Sequence, residues 1–296
     1  MNNKRPKPFL KWAGGKTQLL DSIQTHFPYS KENEFVYIEP FVGSGAVLFW
    51  TLNNYPHIKR AVINDINADL INTYNIVKTN VKGLVAILKK WEVEYHKLAE
   101  LQESKKTYYY SKRDLFNERC SDNVTQAALF IFLNRTCFNG LYRVNKSNKF
   151  NVPIGSYKTP MICDEDNLYL VSDALKDVHL LNGDFELTKQ YADENTFFYL
   201  DPPYKPLSKT SSFNSYAKGS FDDDEQERLN KFCMRLSTEG HKFLLSNSDV
   251  KGQDVHDDDF FDKLYGNFRI ERVSARRNIN SNSSKRGYLT ELLISN

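Results

Sequence analysis

Short apolar runs bounded by glycine, asparagine or aspartate occupy both ends of the chain, and long polar or amphipathic stretches fill its middle. Residues 35–38, 61–64, 178–185, 196–200, 242–248, 268–273 and 290–294 are too brief for helices and rich in β-branched or aromatic side chains, so each reads as a strand. Residues 46–52, 69–76, 81–101, 123–133 and 222–236 read as helices, the last entered through an acidic first turn that suits its dipole. A helix-like pattern also runs up to Ile23, and the lysine- and tyrosine-rich stretch 105–110 reads as a turn. Strand, loop and helix alternate in residues 1–67 and again in 168–296, which predicts an α/β sheet domain. Residues 68–167 interrupt it with a mainly helical insertion.

The 296 residues, 40% of them hydrophobic and 14% aromatic, suffice for a sizeable core. The longest apolar run, 127–133, falls short of a membrane span, and the basic, proline-bearing start lacks the apolar core of a signal peptide. A cytoplasmic protein without membrane attachment is expected. Cys120, Cys137, Cys163 and Cys233 show no paired spacing, and the six histidines form no pair at helical spacing, so no metal site is expected. Charge changes the picture more. Residues 76–165 hold fifteen Lys and Arg against nine Asp and Glu, a net +6, whereas the whole chain carries +3. A second basic run contains Arg269, Arg272, Arg276, Arg277, Lys285 and Arg286. Both fit phosphate contacts, and a solvated basic face would look the same.

The most informative residues stand where strands end. Asp201-Pro202-Pro203-Tyr204 follows the strand 196–200; the prolines offer carbonyls without N–H groups on a rigid backbone. A carboxylate, a fixed carbonyl and a phenol ring there suit an exocyclic amine and the face of a base. A proline-capped strand end is the plainer explanation. Glu39-Pro40-Phe41-Val42-Gly43-Ser44-Gly45 leaves the strand 35–38 as a glycine turn, and Asp65 ends the next strand about twenty residues on, where nucleotide-binding α/β folds place a carboxylate for ribose hydroxyls. Leu48 stands where a dinucleotide fingerprint needs its third glycine. Gly15-Lys16-Thr17 imitates a phosphate-binding loop, but Leu10 occupies its first glycine position. What remains is Trp12 for a flat ring and Lys16 for a carboxylate. In the insertion, Arg135, Phe138, Asn139, Leu141, Arg143 and Pro153 interleave basic, amide and apolar groups on glycine-bearing turns. That mixture suits base edges and stacking, and hairpin structure would account for it nearly as well.

Together these stretches resemble the Dam-like, D12-class DNA adenine methyltransferases, through Lys11-Trp12-Ala13-Gly14-Gly15-Lys16, the 39–45 loop, Asn64-Asp65, Asn139-Gly140-Leu141-Tyr142-Arg143, Phe150-Asn151-Val152-Pro153 and Asp201-Pro202-Pro203-Tyr204, in family order. Thr210-Ser211-Ser212-Phe213 and the closing Glu291 to Asn296 are similar to the restriction-associated branch. The resemblance implies a Rossmann-like S-adenosylmethionine-dependent methyltransferase sheet with helices on both faces, residues 68–167 being the target-recognition domain. It implies S-adenosylmethionine held by Trp12, Lys16, Glu39, Phe41, Gly43, Gly45, Asp65, Asp184, Phe185 and Asp201. It implies catalysis by Asp201, Pro202 and Tyr204 on an adenine flipped out of double-stranded DNA, within GATC, without a metal. DNA contacts fall to Lys11, Arg135, Phe138, Asn139, Leu141, Arg143 and Pro153. A monomer is expected, with a cognate restriction endonuclease acting on the same site as one biological setting. Methylation of cytosine or RNA, a silent DNA-binding protein and an NTPase are the rival readings; the intact cofactor residues oppose the second and the broken phosphate loop the third.

Overall fold

The computed structural model describes residues 4–12, 14–204, 221–249, 251, 259–276 and 288–296. The stretches containing Ala13, Thr210 to Phe213 and Arg277 to Arg286 lie outside them. Seven strands form one sheet in the order β3-β2-β1-β4-β5-β7-β6. They are β1 (Phe35–Glu39), β2 (Ile58–Asp65), β3 (Val178–Asn182), β4 (Thr196–Leu200), β5 (Lys242–Ser248), β6 (Arg269–Arg276) and β7 (Tyr288–Ser295). β2, β1, β4 and β5 run parallel, and β7 runs antiparallel to both β5 and β6. Every residue of β1 and β4 is buried, as parallel strands covered on both faces require. Strand order reverses between β1 and β4, and open α/β sheets bind ligands beyond the carboxyl ends at such a point. Glu39 ends β1 there, and Asp201 follows β4.

Contacts divide the chain into two compact units: Met1–Gly15, Val42–Asn54 and Asn64–Asp184 in the first, and Lys16–Phe41, Tyr55–Ile63 and Phe185–Asn296 in the second. The first holds α2 (Ala46–Asn54), α3 (Ala68–Thr79), α4 (Val81–Lys97), α5 (Gln102–Glu118), α6 (Asn123–Thr136) and α7 (Glu165–Ala174). Its centre is α6, buried continuously from Ala127 to Asn134, a helix apolar all round because α3, α4 and α5 surround it. Side-chain caps start these helices: Asn67 accepts from the backbone of Asp69 and Leu70, Asn80 from Gly83, and Asp122 from Val124 and Thr125.

The second unit holds α1 (Leu20–Thr25), α8 (Asp223–Thr238) and α9 (Phe260–Leu264). Asp222 caps α8 by accepting from the Glu225 amide, and its acidic first turn faces the positive end of the dipole. The helix buries Leu229, Phe232, Cys233 and Leu236, with Phe232 edge-on to Phe198 of β4.

The strand expected at 178–185 stops at Asn182 and the helix expected at 81–101 stops at Lys97, and a further expectation fails outright. Residues 105–110 are not a turn but part of α5, which buries Lys105, Tyr109 and Phe116 on one face. Lys105 looks like a surface residue in sequence, yet its ammonium donates to the carbonyls of Tyr157 and Lys158 at 2.6 and 2.7 Å and lies 4.8 Å from the centroid of the Tyr95 ring. The loop partners lie about fifty residues away, so local composition carries no trace of them. Helix α7 and the 3₁₀ turn Phe185–Tyr191 also escape the apolar pattern. Strands β6 and β7 extend beyond it, because ladder pairing continues from Arg269↔Ser295 to Arg276↔Tyr288 whatever the side chains.

Candidate active site

In the second unit, Asp201 stands just beyond the carboxyl end of β4, its position fixed by pairing with β1 on one side and β5 on the other. Among the described residues, both of its side-chain contacts fall on Oδ1. Lys16 Nζ lies 2.7 Å away and Ser246 Oγ 3.2 Å, the latter linked onward to the Tyr199 hydroxyl at 3.0 Å. Lys16 is 3% exposed, an ammonium buried against carboxylates and a ring. It lies 4.3 Å from the centroid of the Tyr204 ring, bonds the Tyr204 oxygen, and sits 3.9 Å from Glu291 Oε2. The Tyr204 hydroxyl donates to that same Glu291 oxygen at 2.7 Å. Burial raises the pKa of Asp201, against the opposing pull of Lys16 and Ser246. Burial also raises Glu291, against Lys16 and Tyr204, and pushes the Tyr204 phenol far up. Pro202 is buried and Pro203 exposed. At the end of β1, the buried Glu39 accepts from Tyr37 at 2.7 Å. Phe41 packs on Phe185 and Phe221 at 5.4 and 5.7 Å between centroids.

In the first unit, the glycine turn after Val42 closes on Asp65. The Gly43 amide donates to Asp65 Oδ2 at 3.2 Å and the Asn67 amide to Oδ1 at 2.9 Å, so one backbone donor aims each carboxylate oxygen. Burial raises the Asp65 pKa, with those two donors opposing. Gly43 has a φ of +48°, and a Cβ there would sit 2.9 Å from Trp12 Nε1; Gly45 has a φ of +73°, and its Cβ would sit 2.6 Å from the Tyr74 hydroxyl. Both positions need glycine for conformation and for space. The Tyr74 hydroxyl donates to the Gly43 carbonyl at 3.1 Å. Trp12 stacks on Tyr142 with centroids 5.9 Å apart and planes 17° apart, and Tyr142 donates to Asp69 Oδ2 at 3.2 Å. Asp184 follows β3 by two residues.

The base-reading candidates also belong to the first unit. Phe138 is 50% exposed, and Asn139, Arg143 and Pro153 are exposed with it. The Phe138 amide donates to the Pro153 carbonyl at 2.9 Å, which ties the two turns together. Asn139 adopts a left-handed φ of 54°. Arg143 is oriented by Asn151, whose side-chain oxygen takes Nε at 2.7 Å. Lys11 is held through its backbone by Asn134, which accepts from its amide at 2.8 Å and donates to its carbonyl at 2.7 Å, and its ammonium lies 4.0 Å from the Tyr157 centroid. Arg135 differs from the others. It is half-buried and donates Nη2 to the Phe9 carbonyl at 2.7 Å, and burial lowers its pKa.

The sequence profile described as D12 class N6 adenine-specific DNA methyltransferase matches residues 12–279. The chain belongs to this family. The match extends to full-length relatives. The type II methyltransferase M.MjaIII of Methanocaldococcus jannaschii is 50% identical over 295 residues, covering 98% of this chain and 99% of the relative. The DNA adenine methylase of Haemophilus influenzae is 38% identical over 288 residues, covering 97% and 92% respectively. The type II methyltransferase M1.LlaDCHI of Lactococcus lactis is 38% identical over 296 residues, covering 98% and 95%. This is therefore an adenine-specific DNA methyltransferase with a Rossmann-like α/β fold. Among the described residues no helix is long and apolar enough to cross a membrane, and no group of three or more His, Cys, Asp or Glu stands close enough to hold a metal ion.

For this methyltransferase the structure brings Lys16, Asp201 and Tyr204 into one cluster, and Trp12, Gly43 and Asp65 into another. Sequence reasoning missed Glu291, Ser246, Tyr74 and Tyr142 as members of these clusters. Glu291 carried a usable signal: a lone carboxylate inside the apolar run Leu289 to Ile294 has to find a partner when that strand is buried.

Proposed function

We propose that the enzyme transfers the methyl group of S-adenosylmethionine to the exocyclic amine of adenine flipped out of double-stranded DNA, within GATC. The observation that carries this reading is that, among the described residues, only one oxygen of the Asp201 carboxylate is engaged. Lys16 and Ser246 both engage Oδ1, so Oδ2 takes a hydrogen of the amine while the Pro202 carbonyl takes the other. Two acceptors in the plane of the base turn the nitrogen lone pair out of conjugation with the ring. They act on the positive charge that grows on nitrogen, and they are fixed before the reaction begins. The Tyr204 ring stacks against the extruded base and offsets part of the few kcal/mol that unstacking costs.

The residues present fit the donor. Asp65 has both oxygens aimed by backbone amides and keeps lone pairs for the two ribose hydroxyls. The glycines at 43 and 45 let backbone approach a ligand where any Cβ would collide with Trp12 or Tyr74. Trp12 supplies an aromatic face to a cationic group, and Lys16 a point charge to a carboxylate. Glu39, Phe41, Asp184 and Phe185 complete the contacts. When bound, S-adenosylmethionine supplies an electrophilic methyl on a sulfonium.

Residues 68–167 form the target-recognition domain in this reading, inserted between the catalytic segments 1–67 and 168–296. Arg143 makes a bidentate contact to guanine, worth roughly 1–3 kcal/mol of discrimination. Phe138, Asn139, Leu141 and Pro153 read neighbouring bases, with Lys11 on guanine and Arg135 on phosphate. The enzyme acts as a cytoplasmic monomer, and pairing with a restriction endonuclease that cuts the same site is one biological setting for it. Methyl transfer from radiolabelled S-adenosylmethionine to duplexes containing GATC, GTAC or GATATC, with identification of the product base, tests the whole reading. N6-methyladenine confined to GATC is expected. Methyladenine at another site discards the target, and bound donor without transfer discards the chemistry.

A further inference from the structure

Glu291 lies in β7, opposite Ser248 of β5 in antiparallel register, which carries its side chain to the catalytic end of the sheet. There Oε2 accepts from the Tyr204 hydroxyl at 2.7 Å and lies 3.9 Å from Lys16 Nζ. The side chain is 13% exposed. Tyr204 follows the rigid prolines, so its backbone is set locally, but the angle of its ring about Cα and Cβ is not. That angle is fixed at the far end of the ring, where the hydroxyl donates to Glu291 and accepts from Lys16, whose ammonium lies 4.3 Å from the ring centroid. The strand holding Glu291 is paired on both edges, by β5 and β6, and so cannot follow the ring if it swings.

We infer that Glu291 is a positioning residue for methyl transfer: it anchors the Tyr204 hydroxyl, and so fixes the ring face against which the target base stacks, with Lys16 on the ring as its counter-charge. The inference rests on the reading that Tyr204 stacks on the extruded adenine. It assigns Glu291 no contact with the base and no proton transfer. Its acceptor oxygen matters first and its charge second, because a neutral acceptor still holds the phenol, less firmly.

Three variants, Glu291→Gln, Glu291→Leu and Tyr204→Phe, together with the Glu291→Leu/Tyr204→Phe double variant, test it in the full-length protein. Gln keeps an acceptor and is expected to lose about threefold to tenfold in single-turnover rate, whereas Leu loses about 10- to 100-fold, the range of a bond to a charged group. Saturated rate falls in both, with the KM for DNA changed less. The double variant is expected to be no worse than Tyr204→Phe alone, since losing the hydroxyl already removes the Glu291 bond together with the Lys16 bond. A duplex with 2-aminopurine at the target position reports the base directly: its fluorescence still rises on binding Glu291→Leu, as the base leaves the helix, but with a broadened lifetime distribution because no fixed ring face receives it. A merely structural Glu291 would give a different order, because Leu buries better than a carboxylate and Glu291→Leu would match or exceed the wild-type melting temperature with unchanged rate. Wild-type turnover by Glu291→Leu, or strictly multiplicative losses in the double variant, overturns the inference. Tyr204→Ala separates the two levels: full activity there removes the stacking reading itself, whereas loss there with an unaffected Glu291→Leu removes only Glu291.

Discussion

Replacing Asp201 by asparagine changes almost no volume and should nearly abolish methylation while leaving the fold intact. The geometry says why. Lys16 at 2.7 Å and Ser246 at 3.2 Å are both donors aimed at Oδ1, and an amide has only one oxygen to offer them. The amide must therefore keep its oxygen at the Oδ1 position, which leaves its NH₂ where Oδ2 stood. An acceptor facing the substrate amine becomes a donor facing a donor. Losing a charge-assisted bond costs about 1.5–3 kcal/mol, and removing a preorganised group that acts on developing charge costs about 2.7–4 kcal/mol, a rate loss of roughly 10²–10³. The two figures describe one interaction, so they bracket the expected loss and do not add.

The assay is single-turnover methyl transfer with saturating duplex and donor, so that product release cannot mask the chemical step. Donor affinity, measured by calorimetry, is expected to stay within about tenfold, a difference of about 1.4 kcal/mol, because Lys16 retains Tyr204 and Glu291 as partners. Intact mass must show that no asparagine has deamidated back to aspartate during preparation. Turnover within about threefold of wild type, corresponding to less than 1 kcal/mol, would refute the assignment of Asp201.

Arg143→Ala should relax sequence preference, whereas Arg135→Ala should weaken all duplexes alike and also lower the melting temperature, since its guanidinium bonds the Phe9 carbonyl from a half-buried position; uniform loss in both variants removes the division of labour. Gly43→Ala should lower donor affinity by about tenfold, because the left-handed conformation alone costs a side chain about 1–2 kcal/mol and the new methyl must displace the Trp12 ring; calorimetry that finds wild-type affinity would rule out that cradle. Because burial raises the Asp201 pKa, the acid limb of the single-turnover rate should fall above the ordinary carboxylate value of 3.8, and a limb at or below it would refute the ionised-acceptor role. The linked stability term has the sign of a raised acid. It is fully present below 3.8 and is lost as pH rises through the folded value, so the melting temperature of Asp201→Asn relative to wild type should climb across that window.

How much could be read without coordinates follows the range of each interaction. Phe197 to Leu200 announced β4 because a fully buried parallel strand is an unbroken apolar run, and Asp201 stood out as the first charge after it. The glycines at 43 and 45 signalled a turn that only glycine completes, although nothing local said that the obstacles were Trp12 and Tyr74. Residues 105–110 misled because lysine and tyrosine are ambiguous one by one; Lys105 is helical and buried only because two loop carbonyls some fifty residues on receive its ammonium.

The sequence by itself determined the alternation of strand and helix, the family, and the residue types gathered at the strand ends. Each of these depends on neighbours a few positions apart or on motifs contiguous in the chain. Only the tertiary structure decided that Lys16 and Ser246 would share one oxygen of Asp201, that Glu291 would anchor Tyr204 from 87 residues away, and that Tyr142 would lie flat on Trp12. Those contacts depend on the register of β7 against β5 and on the packing of α6 within its helices. A one-residue slip of β7 would turn Glu291 to the other face of the sheet without altering a single letter of the sequence.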